Sequence, residues 1–306
     1  NAKHNIRVIP KLDIKGPNLI KGIQFDGYRV LGTAEEFAEI YYNSGADELI
    51  YQDAVASLYR RNSLFDIIER TAKKIFIPLT VAGGIRSIDD IRKILRAGAD
   101  KVAINTAAIE NPKLLSEAAK IFGSQCIVSS IEAFRKDDDK YEVWTDYGRE
   151  RTGVDAIEWA KKVEELGVGE ILLTSINNDG MGNGYDIELI YEISSKVSIP
   201  VIACGGAGKK SDFVNVIKKG AANAVAAASI FHYFYAFPKE GHTMQFNEKA
   251  LRMGRRVDAG NIDFLRNGYG GQRAIMVEPC SIIDAKEELV KSSISTRVEE
   301  LISIEC

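Results

Sequence analysis

Two acidic residues at corresponding points of the chain could carry acid–base chemistry. Asp13 comes near the end of the apolar stretch Ile6–Ile14, and Glu132 follows the apolar stretch Cys126–Ile131. Two carboxyl groups that face each other can act as general base and general acid when their surroundings separate their pKa values. The alternative is that each carboxylate caps the backbone of a loop. We favour catalysis if both stretches are strands of one barrel, because the active sites of such barrels lie at the C-terminal ends of the strands.

Two Gly-Gly pairs could hold phosphate groups. Gly83-Gly84 and Gly205-Gly206 each follow a short apolar stretch. Without a Cβ, glycine lets backbone N–H groups approach an anion closely. Polar or small residues end the next apolar stretch in each case, and these are Asn105, Thr106, Ala228 and Ser229. Tight turns use glycine for structural reasons as well, but the recurrence favours a substrate with a phosphate at each end.

Four charged residues stand at or near the starts of apolar stretches: Arg7, Glu48, Lys101 and Glu170. Two positive and two negative side chains could form a ring that closes the bottom of a barrel, although charges at strand starts are more often solvated. Lys21 lies in the first loop and could reach over the mouth of the barrel, although a loop lysine is usually exposed.

The elements that must position these residues are eight short apolar stretches that alternate with amphipathic, helix-like segments. The stretches are Ile6–Ile14, Glu48–Gln52, Ile77–Val81, Lys101–Ile104, Cys126–Ile131, Glu170–Ser175, Val201–Cys204 and Ala224–Ala228. Strands that are apolar throughout are typical of a parallel sheet covered on both faces. Eight strand–helix units predict an α/β protein with a closed (β/α)8 TIM barrel, formed as a single domain by residues 1–306.

An internal repeat indicates that the barrel consists of two fused half-barrels. Ile77–Gly84 returns as Ile199–Gly206, and the same displacement along the chain relates Gly45 to Gly167. One displacement kept across several strands is the signature of a duplicated unit. The segment 236–280 does not fit this period and interrupts the chain before the last helix. We expect it near the C-terminal face, either as a peripheral decoration or as a lid over the site.

Composition excludes several classes of function. Apolar residues make up 45% and charged residues 27% of the 306 residues, and the net charge is −3. These values are typical of a soluble globular protein and give no sign of a nucleic-acid or membrane surface. The cysteines and histidines show no metal-ligand spacing, so we expect no metal and no cofactor. The first residues do not form a signal peptide, and we therefore expect a cytoplasmic protein.

Several of these stretches resemble the cyclase subunit of imidazole glycerol phosphate synthase. The most specific are Ile77–Ser87, Gly98–Ala108 and Ala203–Gly208, and the similarity covers about residues 7–235 and 281–301. That family has a duplicated (β/α)8 barrel, in agreement with the repeat.

The resemblance implies an enzyme, a lyase that takes ammonia from a glutaminase docked at the N-terminal face of the barrel. In the family, ammonia travels through the barrel to the C-terminal face, where a bisphosphorylated sugar-nucleotide substrate is cleaved and cyclised. The products are imidazole glycerol phosphate, used in histidine biosynthesis, and an aminoimidazole carboxamide ribonucleotide.

The resemblance also implies roles for individual residues. Asp13 and Glu132 match the two carboxylate residues that share the roles of acid and base, and Lys21 matches the lysine of a mobile loop. One phosphate site is matched by Gly84, Asn105 and Thr106. The other is matched by Asp179, Gly180, Gly206, Ala228 and Ser229. The gate through which ammonia enters is matched by Arg7, Glu48, Lys101 and Glu170.

Residues around the two carboxyl groups depart from the family pattern. Glu132 stands where the family has aspartate, and a shift of ~1 Å in a catalytic group can cost about a hundredfold in rate. Lys11 replaces a cysteine and brings a positive charge close to Asp13, which should lower the pKa of that carboxyl group. Phe134 replaces a lysine.

Two interpretations therefore stay open. In the first, the chain catalyses the cyclase reaction of the family, as the intact phosphate residues favour. In the second, it is a paralogue associated with bacterial surface-glycan biosynthesis that relays ammonia to a sugar amidotransferase forming acetamidino groups, in the extreme as a non-catalytic conduit. The altered carboxylate surroundings and the segment 236–280 favour the second.

Overall fold

The structure is a computed structural model and describes residues 5–23, 26–54, 64–236 and 277–298. The strands of these residues are β1 (Arg7–Lys15), β2 (Asn18–Ile23), β3 (Asp26–Thr33), β4 (Leu49–Asp53), β5 (Leu79–Ala82), β6 (Lys101–Ile104), β7 (Ile127–Arg135), β8 (Tyr141–Thr145), β9 (Glu150–Asp155), β10 (Glu170–Ser175), β11 (Val201–Cys204) and β12 (Ala224–Ala227). The helices are α1 (Ala34–Asn43), α2 (Leu64–Ala72), α3 (Ile88–Ala97), α4 (Thr106–Glu110), α5 (Lys113–Phe122), α6 (Ala156–Glu165), α7 (Ile187–Ser194), α8 (Lys210–Lys218), α9 (Ser229–Ala236) and α10 (Ile282–Lys291).

Eight of the strands form a closed parallel barrel. Around the ring the order is β1, β4, β5, β6, β7, β10, β11 and β12, and β12 pairs with β1 again. Parallel neighbours need a crossing segment between them, and amphipathic helices supply it on the outside of the ring. The predicted (β/α)8 barrel of the α/β class is confirmed.

Each half of the barrel begins with a long strand that leads into an antiparallel extension. β1 and β7 have nine residues each and extend past the barrel, where β1 pairs with β2 and β7 pairs with β8. β2 then forms a hairpin with β3, and β8 forms one with β9. Our assignment of Lys21 to a loop was therefore wrong, because this residue lies in β2.

The apolar core has two layers. The larger lies between the strands and the helices and includes Val8, Leu12 and Tyr41. The smaller fills the inside of the barrel and consists of Ile9, Ile50, Ala82, Ala103, Val128, Leu172, Ile202, Cys204, Ala224 and Ala226. Because side chains alternate along a strand, the inward position of Ile9 also directs Lys11 and Asp13 into the barrel, and that of Val128 does the same for Glu132.

Most of the predicted insertion, 236–280, lies outside the described residues. The described chain resumes at Val277, and the backbone N–H of Glu278 donates to the carbonyl of Gly208 at 2.6 Å. Gly208 follows β11 on the C-terminal side of the barrel. In the part of the chain that the structure describes, no helix is long and apolar enough to cross a bilayer.

Candidate active site

The two carboxyl groups lie opposite each other at the mouth of the barrel. Asp13 pairs in register with Gln52 of β4, and Glu132 pairs with Thr174 of β10. β1 and β7 stand four places apart in a ring of eight strands, so their ends lie across the mouth from each other. Both residues are buried, with 6% of Asp13 and 5% of Glu132 exposed.

Asp13 forms a buried ion pair with Lys11. The Lys11 Nζ atom lies 2.8 Å from the Asp13 Oδ1 atom, and both side chains are more than nine-tenths buried. Burial alone would raise the pKa of Asp13, but the positive charges of Lys11 and Lys21 outweigh burial and hold this pKa below its ordinary value. The expected effect of Lys11 is thus present, and Asp13 is an anion.

Glu132 lies in surroundings that favour the neutral acid. Burial raises the pKa of Glu132 to about 7, an effect that the charge of Lys11 offsets only in part. The backbone N–H of Gly148 donates to this carboxyl group, but its Oε2 atom has no hydrogen-bond partner among the described residues. A carboxyl group with a pKa close to neutrality can give and take a proton at physiological pH.

The first Gly-Gly pair opens into a cavity of about 580 Å³ that also contains Glu132. The predicted phosphate residues Gly84, Asn105 and Thr106 line it. Gly83 has a φ of 96°, and a Cβ there would stand 2.4 Å from the carbonyl oxygen of Asp53, so only glycine fits.

The hairpin of β8 and β9 covers one side of this cavity. The side-chain amide of Asn105 donates to the carbonyl of Trp144 at 3.0 Å. The backbone N–H of Asp146 donates to the hydroxyl of Thr106 at 3.1 Å, which leaves the hydroxyl hydrogen of Thr106 available to an anion. The hairpin therefore fixes the side chains that the first phosphate site would use.

The second Gly-Gly pair lines a much smaller cavity, of about 20 Å³. The predicted residues that share this cavity are Asp13, Lys21, Asp179, Gly180, Gly206, Ala228 and Ser229. Lys21 is only 5% exposed. Burial lowers the pKa of Lys21, but the negative charges of Asp179 and Asp13 outweigh burial and raise this pKa above its ordinary value.

The predicted ring of charges is present at the opposite end of the barrel. Arg7 contacts Glu48 at 2.9 Å and also contacts Glu170. Lys101 lies 3.3 Å from Glu48 and 3.2 Å from Glu170. Positive and negative side chains alternate, so each charge has two partners. The apolar interior of the barrel lies between this ring and the mouth.

Several residues that line the larger cavity did not stand out in the sequence: Gln52, Asp53, Ser130, Tyr147 and Arg149. The period of two along a strand could have found Ser130, because it precedes Glu132 by two residues on the same face. Tyr147 and Arg149 lie in the turn between β8 and β9, whose path over the mouth has no signature in the sequence.

Comparison with known proteins agrees with this geometry. The model of the histidine biosynthesis protein family matches residues 7–235. The imidazole glycerol phosphate synthase subunit HisF of Legionella pneumophila is 59% identical over 209 residues, which cover 68% of this chain and 99% of the relative. The subunits HisF of Bacillus cereus and Methanopyrus kandleri are 52% and 51% identical, and each match covers 74% of this chain and 90% of the relative. The chain therefore belongs to the histidine biosynthesis protein family, in the group of imidazole glycerol phosphate synthase subunits HisF.

Proposed function

We propose that the chain is the cyclase subunit of an imidazole glycerol phosphate synthase, a lyase of histidine biosynthesis. The observation that carries this proposal is the mouth of the barrel, where an ionised carboxyl group and one whose pKa is raised to about 7 lie between two Gly-Gly turns. The names of the relatives support the same activity. A substrate with a phosphate at each end would span the mouth and place its reacting atoms between Asp13 and Glu132.

The two carboxyl groups divide the proton transfers between them. A nitrogen that forms new C–N bonds must lose protons, and Asp13, held as an anion by Lys11, is the group that can accept them. An oxygen or nitrogen that leaves carbon must gain a proton, and Glu132 is the group that carries one near neutral pH. Lys11 stays positively charged, because the attraction of Asp13 outweighs burial and raises the pKa of this ammonium group above its ordinary value.

The other end of the barrel supports the ammonia part of the proposal. Arg7, Glu48, Lys101 and Glu170 close this end with ion pairs, and a layer of small and apolar side chains follows inside the barrel. Such an interior admits neutral ammonia and disfavours an ammonium ion, because burying an unpaired charge is costly. We propose that a glutaminase docks at this end and that these four residues form the gate. The cytoplasmic location stays a prediction.

The relay interpretation has less support. The changes at Lys11, Glu132 and Phe134 still favour it, but the compared relatives are named as synthase subunits, and the residues predicted for each phosphate site line a common cavity. We would conclude that the chain relays ammonia to a sugar amidotransferase only if it formed no cyclase products.

A steady-state assay with the bisphosphate substrate and an ammonium salt tests the proposal. We expect both products, at a turnover within about a hundredfold of the ~10 s⁻¹ that is typical of enzymes. A purified protein that binds the bisphosphate but forms neither product would overturn the cyclase assignment and favour the relay.

A further inference from the structure

His232 is a fully buried histidine whose two ring nitrogens both have partners. Its Nδ1 atom lies 2.5 Å from the hydroxyl oxygen of Tyr41, which is also fully buried. Its Nε2 atom lies 3.0 Å from the backbone carbonyl oxygen of Lys11. His232 belongs to α9, Tyr41 to α1 and Lys11 to β1, so one imidazole joins three elements.

The partners determine the direction of both hydrogen bonds. A carbonyl oxygen can only accept, so Nε2 carries the hydrogen and donates it to Lys11. Burial, together with the charge of Lys21, lowers the pKa of His232 to about 3, so the ring is neutral and Nδ1 has no hydrogen. Tyr41 must therefore donate its hydroxyl hydrogen to Nδ1. This tyrosine selects the tautomer that can hold Lys11.

The position of Lys11 in β1 explains why its carbonyl needs such a partner. The pairing of β1 with β12 runs from Arg7 and Ala224 to Pro10 and Ala227, where β12 ends. Lys11 is the first residue of β1 past this ladder. The chain turns at Ala228 into α9, and His232 in the first turn of that helix takes the place that a strand partner would fill.

The hydrogen bond from His232 to the carbonyl oxygen of Lys11 connects two parts of the candidate site. Ser229, the first residue of α9, lines the second phosphate cavity, and Lys11 holds Asp13 through the buried ion pair. Ser229 and His232 are three positions apart in α9, so less than one helical turn separates the candidate phosphate ligand from the imidazole that holds β1.

We propose that His232 is a positioning residue that fixes β1 against α9 and so holds Asp13 at a set distance from the second phosphate site. Tyr41 acts through His232 by selecting its tautomer. The part that concerns catalysis rests on the proposed cyclase function, whereas the hydrogen-bonded connection itself does not.

Kinetics of two His232 variants test the catalytic part. Glutamine can place its Nε2 amide near the position of the imidazole Nε2 and still donate to Lys11, whereas leucine cannot donate. We expect His232→Leu to lower kcat of the ammonia-driven reaction by about 10- to 100-fold, the scale of a displacement near ~1 Å, with KM changed less than about threefold. His232→Gln should recover kcat to within about fivefold of the unchanged protein.

A matched control separates positioning from general loss of stability. Leu289 is fully buried in α10, away from the mouth, and Leu289→Ala should lower Tm without lowering kcat of the folded enzyme. The proposal is overturned if His232→Leu keeps kcat within threefold, or if the Leu and Gln variants lose kcat equally.

Nitrogen NMR tests the connection without any assay of activity. The chain has three histidines, so ¹⁵N-histidine labelling gives few signals, and the His232 signals are those that vanish in His232→Gln. We expect them to show a neutral Nε2–H tautomer that does not titrate from pH 5 to pH 8. Tyr41→Phe should change the tautomer or let the ring titrate. A His232 ring that titrates near its ordinary pKa in the unchanged protein would refute the connection. If the NMR result holds but no cyclisation occurs, the proposed function fails and the connection stands.

Discussion

Asp13 and Glu132 carry the same functional group, yet their neighbours shift their pKa values in opposite directions. Asp13 has an ammonium group at 2.8 Å, whereas one oxygen of Glu132 has no partner among the described residues. Lys11 acts on both, because its charge also partly offsets the effect of burial on Glu132. The lysine at this position acts most directly on Asp13, the carboxyl group to which its ammonium group is hydrogen-bonded.

The raised pKa of Glu132 predicts a pH dependence of both rate and stability. If Glu132 is the acid, kcat should fall as pH rises through about 7, where the group loses its proton. Glu132→Gln should lower kcat by about a hundredfold or more. The folded protein binds this proton more tightly than the unfolded chain, so the stability that the neutral acid confers is present below its ordinary pKa and lost as pH rises through about 7.

Unfolding in urea measures the effect of pH on stability. Glu132→Gln should increase the free energy of unfolding more at pH 8 than at pH 5, because glutamine cannot ionise. Glu165 is exposed, so Glu165→Gln serves as the control and should leave the free energy of unfolding unchanged at both pH values. Equal stability of Glu132→Gln and the unchanged protein at pH 8 would contradict the buried, neutral acid.

Lys11→Cys restores the residue usual in the family and tests the anion at Asp13. Without the ammonium group of Lys11, the charge of Lys21 remains but the contact at 2.8 Å is lost, so the pKa of Asp13 should rise. The acidic limb of the profile of kcat/KM against pH should then move up by about one unit or more, the size typical of a lost charge at this distance. Lys11→Met, which keeps the length of the side chain, should move the limb in the same direction. A limb that stays in place in both variants would show that Lys11 does not control the base.

At the scale of elements, strands and turns position the site more than helices do. The apolar runs and the repeated Gly-Gly pairs are enough to predict the barrel, because parallel strands covered on both faces are continuous apolar segments. The two hairpins have no such signal: β2 is short and is interrupted by Lys21 and Gly22, and its pairing arises only because β1 extends past the barrel. Because the hairpins could not be predicted, the burial of Lys21 and the unequal size of the two cavities could not be inferred from the sequence either.

The turn at Gly206 tests whether the second Gly-Gly pair is required for its shape. Gly206 has a φ of 110°, and a Cβ there would stand 2.1 Å from the carbonyl oxygen of Gly184. Gly45 has a φ of 85°, and a Cβ there would meet no atom of the described residues within 4 Å, so Gly45→Ala is a control with backbone strain alone. We expect about 1–3 kcal/mol of backbone strain in each variant, to which the close contact with Gly184 adds in Gly206→Ala. Only Gly206→Ala should also raise KM for the bisphosphate, by about tenfold or more. A similar KM for both variants would mean that the turn is merely structural.

At the scale of the whole molecule, the barrel arranges three zones along its axis. The ring of Arg7, Glu48, Lys101 and Glu170 closes one end, the apolar interior follows, and the mouth holds the carboxyl groups. The positions of the four charges allowed a ring but favoured solvated side chains, which are usual at the starts of strands, and only the resemblance favoured the ring. Closure of the barrel brings these four side chains together, and no local pattern encodes that closure.

Lys101→Met tests whether the ring serves the passage of ammonia. The variant removes two of the four contacts and leaves Arg7 to pair with both glutamates. With the glutaminase bound, we expect glutamine-dependent turnover to fall by about tenfold, while turnover with an ammonium salt stays within about threefold. Arg70→Met, which removes an ion pair of the outer helices, should affect neither. Parallel loss of both activities in Lys101→Met would assign the ring to stability alone.

The most direct test of the account is the ammonia-driven reaction of the unchanged protein beside Asp13→Asn. We predict that the unchanged protein converts the bisphosphate into both products. Asp13→Asn should bind the bisphosphate with a Kd within about threefold of that of the unchanged protein. It should form the products at least about a hundredfold more slowly, because asparagine cannot accept a proton. Equal rates for the two proteins, or no product from an unchanged protein that binds the bisphosphate, would contradict catalysis between Asp13 and Glu132.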